Sequence, residues 1–197
     1  MVYLQTTPYT TAASSLLNLL EYKQVLKGDM EEEFKIWMST AVLPVRASSI
    51  YGLAVYAKEK GLEPFLIVEK DEFDFPDYRF YRYKKQDVEL AKITSGIYKK
   101  KAKEKNISCK VSEIKLNYIK ELLEENYIIL RVNVKEIRRL KRNSSNFLFF
   151  KDYKDGEFTA VDPVQGEIKI GEELVENGLK TLEEKKYRAR KLMAVKK

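Results

Sequence analysis

Apolar residues recur along this chain with two different periods, and the helical period dominates first. Across residues 12–21, Ala12, Leu16, Leu19 and Leu20 share one helical face, which predicts a core helix. Asp29-Met30-Glu31-Glu32 reads as a capping box opening a second helix. Phe34, Trp37, Met38 and Ala41 would form its stripe until Pro44 stops it. Ser48 can cap a third helix with Ile50, Leu53, Ala54 and Ala57 inward and Gly61 just past its end. Residues 65–68 then read as a short buried strand. Helices are predicted over residues 86–105 and from Ser112 onward, the latter with Leu116, Ile119, Leu122 and Leu123 as its apolar face. From Tyr127 the short period takes over. Strands are expected at 127–132, in a hairpin over 146–163 turning at Asp155-Gly156, and at 167–170. A helix over 172–180 and a closing strand over 191–195 complete the pattern. Helices first and a mostly antiparallel sheet afterwards make an α+β fold, expected as a single domain over residues 1–197.

Composition sharpens this only in places. The 197 residues carry a formal charge of +7, with 34% Asp, Glu, Lys and Arg, one cysteine and no histidine. The Lys and Glu richness resembles the bias of hyperthermophile proteins. Neither a long apolar run nor a charged-then-apolar leader is visible, so no membrane span and a cytoplasmic location are expected. The basic runs at 99–105, at 135–142 and over the last thirteen residues could meet nucleic acid, or could be solvated faces beside Glu104 and Glu136. Residues 71–85 are acidic and aromatic, then basic and aromatic; they could stack bases, or form a strand with aromatics inward and arginines outward. A lone Cys109 forms no internal disulfide and is expected to sit as a small buried hydrophobe. With one Cys and no His, a zinc site has too few ligands, and no D-x-D-x-D-G loop is present. No metal or cofactor is expected.

The candidate chemistry lies at the two ends of the pattern. Gln5 precedes Thr11 by six positions in Gln5-Thr6-Thr7-Pro8-Tyr9-Thr10-Thr11-Ala12-Ala13-Ser14, and Asn146 precedes Asp162-Pro163 by sixteen. These two segments, with Trp37 and the Tyr51-Gly52-Leu53-Ala54 stretch between them, resemble the C39-like branch of the papain-type cysteine peptidases over roughly the whole chain. The resemblance implies a papain-like fold with a helical half and a sheet half meeting at a cleft. It also puts Gln5 at the oxyanion-hole position, Thr11 at the nucleophile's, Asn146 at the base's and Asp162 at that of the orienting carboxylate. Thr11 stands where the family has cysteine, Ala12 where it has glycine, and Asn146 where it has histidine. A threonine hydroxyl needs a positioned base titrating near working pH, and histidine is the usual one. Read without the family, Thr11 is a helix N-cap, and Asn146 and Asp162 begin and end two hairpin strands. The expectation is therefore an inactive peptidase-like protein whose cleft, with Tyr9, Thr10 and Ser145, binds a peptide or protein segment. The alternatives are a hydrolase or acyl-transferase using Thr11, and a basic nucleic-acid-binding protein.

Overall fold

The computed structural model describes residues 2–74 and 83–197. Helices α1 (Thr11–Tyr22), α2 (Met30–Thr40) and α3 (Ile50–Glu59) come first, followed by strand β1 (Pro64–Val68), helix α4 (Lys85–Glu104) and strand β2 (Cys109–Val111). Helix α5 (Leu116–Glu125) leads into β3 (Asn126–Asn133), β4 (Ser145–Lys154), β5 (Glu157–Asp162) and β6 (Gly166–Gly171). Helix α6 (Glu172–Lys186) and strand β7 (Lys191–Lys196) close the chain. The strands form one sheet in the order β2-β1-β7-β3-β4-β5-β6, antiparallel everywhere except between β1 and β2. The α+β architecture with a mostly antiparallel sheet is thus borne out.

The middle strands are apolar on both faces because both faces are covered. Ile129, Phe149 and Met193 pack toward α1 and α3. Their neighbours Ile128, Leu148, Phe150 and Leu192 point the other way, against α5 and α6. This second helical layer removes the in-out alternation that a one-sided sheet would show. The β4–β5 turn places Asp155 at φ 52° and Gly156 at φ 81°, the doubly positive geometry for which Asp-Gly is suited.

Several expectations shift. Helix α2 is capped by Asp29, whose side chain accepts from the Glu32 backbone N–H, but its buried face is Glu33, Ile36 and Thr40. Met38 lies outside it, 61% exposed. Helix α3 starts one residue later than read, with Ser49 at the cap. Helix α5 begins at Leu116 after an extended stretch, because Glu69 takes the Ile114 backbone N–H and Val68 that of Ser112. Cys109 is exposed, since β2 is a three-residue edge strand with neither face covered. In the aromatic segment read as a strand, residues 75–82 lie outside the described residues, and 71–74 form no strand. Among the described residues no helix is long and apolar enough to cross a membrane.

Candidate functional site

The site is assembled by polar anchors that hold the N-terminal segment against the sheet. Asn18 on α1 grips the backbone of Tyr3 from both sides, accepting its N–H and donating to its carbonyl, each at 2.8 Å. Two residues on, the Gln5 backbone N–H donates to the Pro163 carbonyl at 2.8 Å, which sets Gln5 beside the end of β5. Between them lies the buried carboxylate of Glu33 from α2. It accepts from the Tyr3 hydroxyl (2.7 Å), the Thr6 backbone N–H (3.0 Å), the Thr6 hydroxyl (2.7 Å) and the Ser14 hydroxyl (2.8 Å). Burial pushes the Glu33 carboxyl up, but the hydrogen bonds from Thr6 and Tyr3 help to outweigh it, so it titrates below the ordinary carboxylate value. The same partnership, after burial, raises the Tyr3 phenol.

Helix α1 is buried along its whole length up to Leu20 and carries no acidic residue in its first turn. Its N-cap is Thr10, not Thr11; the Thr10 hydroxyl turns back to the Thr7 carbonyl at 3.0 Å and caps no helical N–H. Thr11 is therefore the first helical residue. Its hydroxyl oxygen is buried and finds no hydrogen-bond partner among the described residues. One turn along, the Ser15 hydroxyl donates to the Phe147 carbonyl at 2.8 Å and ties α1 to β4. That bond brings the start of the helix to the start of the strand. Thr11 and Asn146 consequently line one cleft, of about 350 Å³, together with Tyr9 and Ser145. Its far wall is the connection between α2 and α3, where Arg46 lies 5.1 Å over the Tyr9 ring; Trp37 of α2 meets the same ring at 5.1 Å.

The other two positions are elsewhere. Neither Gln5 nor Asp162 lines the cleft. Asp162 is fully buried and bound by Arg138 through two short contacts, Nε to Oδ2 at 2.7 Å and Nη2 to Oδ1 at 2.8 Å. The Val164 backbone N–H adds a third at 2.7 Å. A carboxylate so engaged has its lone pairs directed at a guanidinium, not toward a group on Asn146. The Asn146 amide donates instead to the Ser144 hydroxyl at 2.9 Å. Among the described residues no three His, Cys, Asp or Glu side chains converge as metal ligands.

The sequence model of the family described as "Peptidase_C39 like family" matches residues 1–185. The chain belongs to this family. No curated protein matches it. Among solved structures, the double glycine motif protease of an AMS/PCAT transporter, in complex with the leader peptide, is 15% identical. That likeness covers 100% of this chain and 91% of the other, with a TM-score of 0.49.

This member of the C39-like family holds two buried polar groups that its sequence did not reveal. Glu33 sits in a run of three glutamates where nothing marks it from its neighbours, and Arg138 in a basic run that reads as a solvated face. A third cluster lies behind the cleft. Asp74 receives the Arg131 Nη1 at 2.8 and 2.9 Å and the Ala189 backbone N–H at 2.8 Å, while Lys191 stands 3.6 Å away. Burial would raise the Asp74 carboxyl, yet the cations Arg131, Arg188 and Lys191 hold it far below the usual range. Burial pushes Lys191 down to about 8 despite Asp74.

Proposed function

We propose that this C39-like protein is a catalytically inactive member whose cleft binds a peptide or protein segment. The observation that supports this most is the engagement of Asp162 by Arg138, with Asp162 set apart from the cleft that Thr11 and Asn146 share. An acyl-transfer site needs its nucleophile, base and orienting group in hydrogen-bond reach of one another. Here the hydroxyl at the nucleophile position has no acceptor for its proton among the described residues, the base position holds an amide, and the chain has no histidine. What such a cleft retains is shape: the N-terminus of α1, the polar start of β4 and an aromatic wall. The basic run at 135–142 lends less to the nucleic-acid reading than its sequence suggests, since Arg138 is buried in its ion pair and Lys135 pairs with Glu136 at 3.0 Å.

The test is incubation of the purified chain and of Thr11→Ala with a random-sequence mixture of peptides about ten residues long, followed by mass spectrometry and equilibrium dialysis. The expected result is no cleavage by either protein and retention of peptides by both. Amide hydrolysis abolished by Thr11→Ala would instead establish the hydroxyl as a nucleophile, and failure to retain any peptide would remove the binding role.

A further inference from the structure

We propose that α4 docks this protein onto an anionic lipid surface, its outward face of Leu90, Ile93 and Ile97 entering the headgroup region while the lysines around it meet the lipid charge. The proposal goes beyond the cleft and does not depend on what the cleft binds.

Helix α4 has two apolar faces, and the fold uses one. Val88, Ala91, Ser95 and Ala102, at helical spacing, are buried and turn toward α3 and the α2–α3 connection. Leu90, Ile93 and Ile97 recur at the same kind of spacing on the side turned away from that packing. All three are exposed, Ile93 the most at 63%. The Thr94 hydroxyl donates to the Leu43 carbonyl at 3.1 Å, which holds a fourth exposed aliphatic residue, Leu43, at the flank of the stripe. A single exposed aliphatic side chain is ordinary on a protein surface, whereas several gathered on one side of one helix form a patch.

Charge decides what such a patch meets. Residues 84–105 hold eight lysines against three carboxylates of their own, Asp87, Glu89 and Glu104. Two more carboxylates reach this segment from elsewhere, Asp71 to Lys99 and Glu59 to Lys105, and the lysines still outnumber all five. The excess therefore stands whichever lysine pairs with which acid. Lys100 and Lys101 follow Ile97 by three and four positions, so they border the stripe at its C-terminal end, and both are exposed. Lys100 meets Glu104 only loosely, at 3.8 Å. A lysine can lay its methylenes along an apolar layer while its ammonium stays among phosphates. A surface helix with an apolar stripe bordered by lysines is built to lie in a membrane interface, and α4 is not apolar enough to cross one.

Other occupants fit this face less well. A second copy would set the same lysines against one another, and like charges oppose pairing there. Nucleic acid would satisfy the lysines but not the aliphatic stripe, because bases stack on aromatic rings and guanidinium planes. An anionic bilayer takes both at once. Since Ala91 on the buried face packs with Val42 and Val45 of the α2–α3 connection, a lipid surface that holds α4 also holds one wall of the cleft.

The experiment is flotation of the full chain with vesicles of phosphatidylcholine alone or with about 30% phosphatidylserine, at about 0.1 and about 0.5 M salt. The expected result is flotation with the anionic vesicles at low salt, much reduced at high salt and on the neutral vesicles. Ile93→Gln with Ile97→Gln, and separately Lys100→Gln with Lys101→Gln, should each lower the partition coefficient at least about tenfold. These positions are exposed, so folding is not at stake, and circular dichroism checks it. Lys141→Gln with Arg142→Gln removes two charges from the exposed β3–β4 connection instead and should leave flotation unchanged. Absence of flotation would overturn the proposal, as would an equal loss in that last variant, which would make net charge responsible and not α4. Flotation that needs the lysines but survives loss of the isoleucines would also overturn it and favour a soluble polyanion such as nucleic acid. A dimer in analytical ultracentrifugation that Ile93→Gln dissociates, with no flotation, would assign the face to a second copy.

Discussion

Glu33 is the residue on which the N-terminal half of the site turns. Its two carboxylate oxygens gather donors from the leading segment and from α1, four of them within 3.0 Å. Glu33→Gln keeps the shape but replaces one acceptor oxygen by a donor, so at least one of the Tyr3, Thr6 and Ser14 donors loses its partner. With hydrogen bonds to charged groups contributing about 1.5–3 kcal/mol each, the expected cost is about 2–4 kcal/mol, read as a lower urea midpoint at pH 7. The pH dependence has a definite sign. The folded carboxyl titrates below its ordinary value of 4.5, so its contribution is complete above that pH and is lost as pH falls through the lower folded value. Glu33→Gln should therefore flatten the acid limb of the stability profile. A variant with the same midpoint as the parent at pH 7 would show that the cluster is replaceable by water.

The pairing of α2 with α3 shows how a single small residue sets the distance between two elements. A Cβ on Gly52 would stand 3.0 Å from the Thr40 Cα and 3.3 Å from its carbonyl oxygen. Thr40 cannot easily yield, because its carbonyl accepts the Ser49 N–H at 2.8 Å and its hydroxyl meets the Ser48 hydroxyl at 3.0 Å. Gly52→Ala gains up to about 1 kcal/mol of helix propensity and loses about 1–3 kcal/mol to overpacking. The expected net result is destabilisation, read as a lower midpoint in thermal unfolding, and a raised midpoint would refute the close approach. The same contact explains the stripe on α2. Phe34 and Trp37 looked inward from their apolar character, yet the helix turns Glu33, Ile36 and Thr40 to the core because Glu33 has donors waiting and Thr40 must lie flat against Gly52.

For the molecule as a whole, the buried charges behind the cleft link stability to alkaline pH. Lys191 has a folded value of about 8 against an ordinary 10.5, so between these limits the unfolded chain binds more protons and stability rises with pH. From pH 8 to 10 the gain is about 2 kcal/mol. Lys186, lowered by burial and by Arg188, adds in the same direction. Above pH 10 the sign reverses, since Tyr3 and Tyr51 are raised in the fold and the unfolded chain loses those protons first. Lys191→Met should shrink the rise between pH 8 and 10 while leaving Asp74 paired with Arg131, as followed by urea unfolding across that interval. An unchanged slope would mean that Lys191 is not the group responsible.

Much of this architecture was legible along the chain. The period of α1, the Asp29 cap and the Asp155-Gly156 turn all follow from local chemistry, because apolar spacing and turn residues act over a few positions. The spacings from Gln5 to Thr11 and from Asn146 to Asp162 pointed to the family in the same way. Burial of charge was not legible, since a glutamate, an arginine or a lysine looks alike on a surface and in a core until its partner is known. The partners of Glu33, Asp162 and Asp74 are respectively up to 30, 24 and 115 residues away in sequence. Only the folded chain decides such pairs, because an ion is tolerated inside only where distant segments bring it donors or counter-charge. That requirement separated Asp162 from the cleft and left the Thr11 hydroxyl facing it.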